Sequence, residues 1–240
     1  MYAVTYSLGT SEQALARAFF AYLFDALIRC NVLILRAYPD LPLRHLVTIK
    51  SENPGEFRTA LQLHKDGAGT PLDMLALRLA RQVIAGQPIA LPSFEAWTIP
   101  DKIKFFTGAF RGDYERPLSN AILAELLEAL VRCDELIFRT YPTLPGIYAS
   151  GVFYKREPRG EEFWQTVLAL YRQGYGDCED LASGLTAEKR VRHRRPGVRA
   201  GFTWRRRAGG GTMYHIIQSS ETGNHEDDPS ARLGMLEGDR

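Results

Sequence analysis

The longest apolar stretch of the chain runs from Ala14 to Leu35 and is interrupted by Arg17, Asp25 and Arg29. Within it Leu15, Phe19, Leu23 and Leu27 recur at helical spacing, which places them on one face. The charged interruptions make this a buried amphipathic helix and not a membrane span. A second apolar series, Leu123, Leu126, Leu127 and Leu130, follows the same rule farther along. Each helix is expected to end at a Tyr-Pro step, Tyr38-Pro39 and Tyr141-Pro142. Proline has no N–H for the helical ladder and steers the preceding residue out of the helical region.

The two series belong to a longer correspondence. Arg29-Cys30, Leu33-Ile34, Arg36 and Tyr38-Pro39-Asp40-Leu41-Pro42 are answered by Arg132-Cys133, Leu136-Ile137, Arg139 and Tyr141-Pro142-Thr143-Leu144-Pro145. A strand-like run, His45 to Lys50, matches Tyr148 to Lys155, and both are followed by Glu and Pro. A short helix pattern follows in each, Glu56 to His64 and Glu161 to Tyr171, leading to Gly67-Ala68-Gly69 and Gly174-Tyr175-Gly176. So much aligned text reads as an internal duplication, with a degenerate first copy over residues 1–108 and a second over 109–240.

The copies part company just after the glycines. The first reads Thr70-Pro71-Leu72-Asp73 and the second Asp177-Cys178-Glu179-Asp180, so Pro71 stands where the second copy has a thiol. No histidine lies between His64 and His193. The first copy therefore has neither nucleophile nor base and is expected to serve packing, docking or assembly.

Composition changes this picture little. In 240 residues, 45% are hydrophobic and 24% charged, ordinary values for a globular protein, and the net charge of +2 excludes a protein that is basic throughout. The start, Met1 to Tyr6, shows no positive segment followed by an apolar one, so no signal peptide is expected. Cys30, Cys133 and Cys178 cannot all pair and lack metal-site spacing, which points to a reducing, cytoplasmic setting. Cys30 and Cys133 lie at equivalent positions of apolar helix patterns and read as core residues.

Cys178 differs from both. It follows a glycine-rich turn and opens a helix pattern carried by Leu181, Leu185 and Val191. Asp177 suits the N-cap, since its carboxylate can accept orphan N–H groups of the first turn. A cysteine at the first helical position meets the positive end of the helix dipole, which favours the thiolate. The same N–H groups suit the oxyanion of an acyl-transfer intermediate. The flanking carboxylates Asp177, Glu179 and Asp180 would oppose a thiolate, so they are expected to cap the helix or point away. A thiolate also needs an imidazole, held in turn by a third group. Met213 to Gln218 alternates like a strand bounded by Gly209 to Gly211 and Ser219-Ser220, and presents His215. A turn-like Glu221 to Asn224 then returns Asp227-Asp228 beside it.

Gly176-Asp177-Cys178-Glu179-Asp180-Leu181-Ala182, then Tyr214-His215, then Glu226-Asp227-Asp228-Pro229-Ser230, resembles the transglutaminase-like, papain-fold cysteine peptidase superfamily. The chain is similar both to bacterial transglutaminase-like cysteine proteinases and to short tailed-phage proteins of that type. The resemblance covers about residues 150 to 235. It implies Cys178 as nucleophile, His215 as base and Asp228 as orienter, with Asp227 as the alternative one residue away. Gln173 and Tyr175, upstream of the nucleophile, are candidates for an oxyanion or pocket group. Two departures stand out: a very basic stretch where the family has a strand after the helix, and a glycine- and arginine-rich insert at Arg205 to Gly211.

The expected fold is thus α+β, with an active-site helix packed on an antiparallel sheet and a degenerate N-terminal copy of the unit. The expected activity is cleavage or transfer at an amide bond of a protein or peptide through a thioacyl intermediate. A phage virion or assembly protein using the fold for binding is the alternative. Lys189 to Arg195, Arg199 and Arg205 to Arg207 form a basic block suited to nucleic acid or an acidic partner, or to compensation by the acidic Glu221 to Asp228. No cofactor is called for, and the carboxylates of residues 177–180 are at most a calcium candidate.

Overall fold

The computed structural model describes residues 10–43, 45–50, 55–94, 98–106, 116–157, 163–206 and 212–236. The expected boundary between residues 108 and 109, the Glu52 and Pro54 after the first strand, and Gly209 to Gly211 lie outside them. The protein is α+β and divides into two compact units, Thr10–Ala129 and the chain from Leu130 onward.

In the first unit, α1 (Thr10–Ala37) is long because nothing breaks its apolar stripe until Tyr38-Pro39. By length and composition it is apolar enough to cross a membrane, yet Phe19, Phe20, Leu23 and Leu27 are completely buried within the protein. It packs against α3 (Pro71–Ile84) and α2 (Ala60–Asp66). β1 (Val47–Thr48) pairs in parallel with β3 (Ala68–Gly69). β2 (Glu56–Arg58) pairs in parallel with β4 (Lys104–Phe106), so the segment expected to begin a helix at Glu56 is first a strand. The distant Phe105 supplies the reason: it stacks on Phe57 and draws that residue into a ladder before the helix starts.

Helix α4 (Arg116–Thr140) carries the division between the units and ends, like α1, just before a Tyr-Pro step. The second unit continues with a short 3-10 turn, Ile147–Ala149, where a strand is expected, and reaches extended geometry only at β5 (Phe153–Tyr154). α5 (Val167–Gln173) and β6 (Tyr175–Gly176) follow, with β6 parallel to β5. Then come α6 (Cys178–Arg192), β7 (Arg199–Arg206), β8 (Thr212–Ser219), β9 (His225–Asp227) and α7 (Pro229–Arg232). β7, β8 and β9 form an antiparallel sheet in that order. The very basic stretch thus ends α6 and runs on into β7, so the strand after the helix is present. Ala200, Phe202 and Trp204 alternate between polar residues along it, a strand pattern beneath the arginines. α6 packs on β7 and β8 and is also touched by α5, β6, α7 and the 3-10 turn. Its Leu181, Leu185 and Ala187 join Val167, Leu170, Ile137 and Val152 in the core of this unit.

The two units use the same hydrogen bonds at equivalent places. Val47 N donates to Gly67 O and Ile49 N to Gly69 O, both at 2.9 Å; Phe153 N donates to Gly174 O and Lys155 N to Gly176 O, at 3.2 and 2.9 Å. Asn31 Oδ1 accepts from Ala60 N, at the start of α2, at 2.7 Å. Asp134 Oδ1 accepts from Val167 N, at the start of α5, at 2.8 Å. Gly67 and Gly174 both end their helices in the left-handed region, at φ of 67° and 80°, where glycine carries no Cβ penalty. Gly176 is needed for a different reason: a Cβ there would sit 2.7 Å from both Leu170 Cδ1 and Asp180 Oδ2.

Candidate functional site

Cys178 is the first residue of α6 and is partly exposed, whereas Cys30 and Cys133 are completely buried. Burial pushes both of those thiols far above the ordinary range, so neither is a reactive group. Asp177 precedes the helix with extended backbone. Asp180 closes the turn: its Oδ2 accepts from Asp177 N at 3.3 Å and from Gln165 Nε2 at 3.1 Å, and its Oδ1 accepts from Gln165 N at 2.7 Å. Asp180 is fully buried. Burial first, and then the charge of Asp177, push it well above the usual carboxylate range and favour its neutral form.

Glu179 neither caps the helix nor points away. Its side chain is only 1% exposed, and its Oε2 accepts a hydrogen bond from Cys178 Sγ at 3.1 Å. Sequence reasoning sets this residue aside because a carboxylate beside a thiolate is unfavourable; packing around α6 folds it onto the thiol all the same.

His215 lies in the middle of β8, opposite Thr203 of β7, and is 5% exposed. Its Nε2 is 3.0 Å from Asp228 Oδ2. Asp228 is the N-cap of α7, where its Oδ1 accepts from Ala231 N at 3.0 Å, so the turn of α7 fixes the carboxylate that faces the imidazole. Asp227, the alternative one residue away, has its Oδ2 3.1 Å from Arg232 Nη1 and 3.7 Å from Lys189 Nζ. With Nε2 held by Asp228, Nδ1 is the ring nitrogen left for a thiol. The described contacts thus join His215 to Asp228 and Cys178 to Glu179. α6, β8 and α7, which carry these four residues, pack on one another.

Tyr175 lies on β6, three positions ahead of the thiol in the chain; its ring is 5.9 Å from Phe153 and lies 4.1 Å below Lys155 Nζ. Gln173 closes α5 just before Gly174. Trp164 is buried, in keeping with a packing role. Among the described residues no group of three or more His, Cys, Asp or Glu is arranged to hold a metal ion.

Much of the basic block is engaged within its own unit. Arg190 Nη1 is 3.1 Å from Glu135 Oε1, Lys189 Nζ is 3.4 Å from Glu226 Oε1, and Arg195 pairs with Glu226. Arg192 donates to Leu144 O and covers the Phe138 ring. The Arg195 hydrogen bond holds Glu226 down at about 2.

In the first unit the turn equivalent to that of Cys178 is complete and chemically inert. Thr70 N donates to Asp73 Oδ2 at 2.8 Å, Asp73 N to Thr70 Oγ1 at 3.2 Å, and Arg58 N to Asp73 Oδ1 at 2.8 Å. Pro71 and Leu72 occupy the places of Cys178 and Glu179. Comparison of the chain with protein-family models, curated proteins and solved structures found no match.

Proposed function

We propose that the second unit is a papain-like, transglutaminase-like cysteine hydrolase or acyltransferase acting on amide bonds, and that the first is its non-catalytic sibling. One observation carries the reading: His215 Nε2 is held 3.0 Å from Asp228 Oδ2, on a strand packed against the helix that opens with Cys178. A carboxylate in this position fixes the ring, leaving Nδ1 to serve the thiol.

The chemistry is that of thiol acyl transfer. The Cys178 proton passes to His215, and the sulfur attacks the amide carbonyl, forming a C–S bond and an oxyanion. N–H groups of the first turn of α6 stabilise that oxyanion, an effect worth about 3 kcal/mol per donor in well-studied cases. Collapse breaks the C–N bond, and the leaving amine takes its proton from His215. Water, or an acceptor amine, then attacks the thioester with His215 again as base and restores the thiol. Water gives hydrolysis and an amine gives cross-linking, so the solvent access of the thioester decides between them.

The test is the pH dependence of Cys178 alkylation by iodoacetamide in the wild type and in His215→Ala. Fast alkylation below pH 7 that is lost without His215 supports a thiolate–imidazolium pair. Slow alkylation in both, with an ordinary thiol midpoint near ~8.5, overturns the catalytic reading.

A further inference from the structure

We infer that Glu179 is a positioning residue that biases the Cys178 thiol toward its S–H form and so raises the pH at which the nucleophile is released. The inference rests on the proposed function. The S–H donates to Glu179 Oε2 at 3.1 Å, and the carboxylate that receives it is 1% exposed. Burying a carboxylate costs free energy that only specific partners offset.

The fold does not demand that cost. The first unit builds the same turn with Leu72 in this place, and α3 and its capping box form regardless. Where one copy manages with a leucine, a buried glutamate touching the nucleophile in the other is explained by the thiol it touches.

The direction of the effect follows from charge. A carboxylate in hydrogen-bond contact favours the S–H form and opposes the thiolate, by the like-charge rule. The titratable groups around the first turn of α6 are Asp177 and Asp180 on the helix itself and Glu157 beside Asp180. Tyr175 comes from β6, His215 from β8 and Asp228 from α7. Asp177, Asp180 and Glu157 act in the same direction as Glu179 wherever they are ionised. Protonated His215 and the N-terminus of α6 act in the opposite one. Glu179 is the acid whose bond to the sulfur is described, at 3.1 Å. Against that opposing pull, Glu179 moderates the reactivity of the thiol toward alkylation and oxidation.

Extending the alkylation profile of the full chain to Glu179→Gln and Glu179→Leu tests this. Gln keeps the shape, and Leu is the residue that the first unit carries. Both variants are expected to shift the alkylation midpoint of Cys178 down by about one pH unit, making alkylation below the midpoint about tenfold faster. His215→Ala is expected to shift it up. Unchanged or raised midpoints in both Glu179 variants overturn the inference, because a buried carboxyl that donates to the thiolate would produce a rise. The two failures are separable. If His215→Ala matches the wild type, the proposed function falls, while the Glu179 shift is still read on the thiol itself. If His215→Ala moves up and the Glu179 variants stay put, only the role of Glu179 falls.

Discussion

The first turns of α3 and α6 occupy equivalent places in the two units, and they handle buried charge in opposite ways. In α3 the buried Asp73 meets Arg58, whose backbone N–H it accepts and whose guanidinium Nη1 lies 3.7 Å from Oδ2. Burial still raises Asp73, but that arginine and the Thr70 hydrogen bonds work against the rise. In α6 the buried Asp180 meets the neutral Gln165 and two further acids in the same turn, Asp177 and Glu179. One turn is neutralised and the other is loaded with like charge beside a thiol. Scaffold residues are free to settle their electrostatics, whereas a site that must handle a proton keeps groups whose ionisation is contested.

The largest effect that tests this contrast is on stability. Asp73→Ala removes the acceptor of two backbone N–H groups and the buried one of the three carboxylates around Arg58, and is expected to cost about 3 kcal/mol. Asp180→Ala also strands two backbone N–H groups, but it relieves a buried carboxyl that faces Asp177 and has no cationic partner described, so a smaller loss is expected. Urea unfolding of the two variants measures both. Equal losses would mean that the two turns hold their acids alike.

A pH-dependent effect separates Asn31 from Asp134, which cap α2 and α5 in the same way. Burial pushes Asp134 up to about 8. Between the ordinary carboxylate value near ~4 and about 8 the folded chain keeps this proton while the unfolded chain loses it. Stability therefore falls as pH rises through that window, by up to about 1.4 kcal/mol per pH unit, and the group contributes nothing below it. Asp134→Asn, which copies the first unit, keeps the acceptor for Val167 N and is expected to flatten the slope. Urea midpoints at both ends of the window check it.

Features carried by local pattern are legible in the chain. The stripe of α1, the Tyr-Pro stops, the glycines before α3 and α6 and the N-cap position of Asp177 all follow from short-range rules. Features made by distant partners are not. Glu56–Arg58 becomes a strand only because Lys104–Phe106 pairs with it. Asp227 and Asp228 look alike in the chain, and only the bulge between β8 and β9 and the cap of α7 decide which of them reaches His215. The arginines of β7 mask an alternation that was present in Ala200, Phe202 and Trp204. Glu179 is the sharpest case. Its position beside the thiol is plain in the sequence, but the turn of its side chain onto sulfur depends on what packs around α6.

One scaffold occurs twice, and we propose that only its second copy carries out chemistry. The most direct measurement is acylation by p-nitrophenyl acetate, located by mass spectrometry, in the wild type, in Cys178→Ala and in a Cys178→Ala protein that also carries Pro71→Cys. Expected are a burst of p-nitrophenol with a thioacetyl group on Cys178, no burst in Cys178→Ala, and no burst restored by the added thiol, because no histidine follows position 71 within the first unit to match His215. An equal burst from the thiol at position 71, or none from Cys178 in the folded wild type, would contradict that proposal.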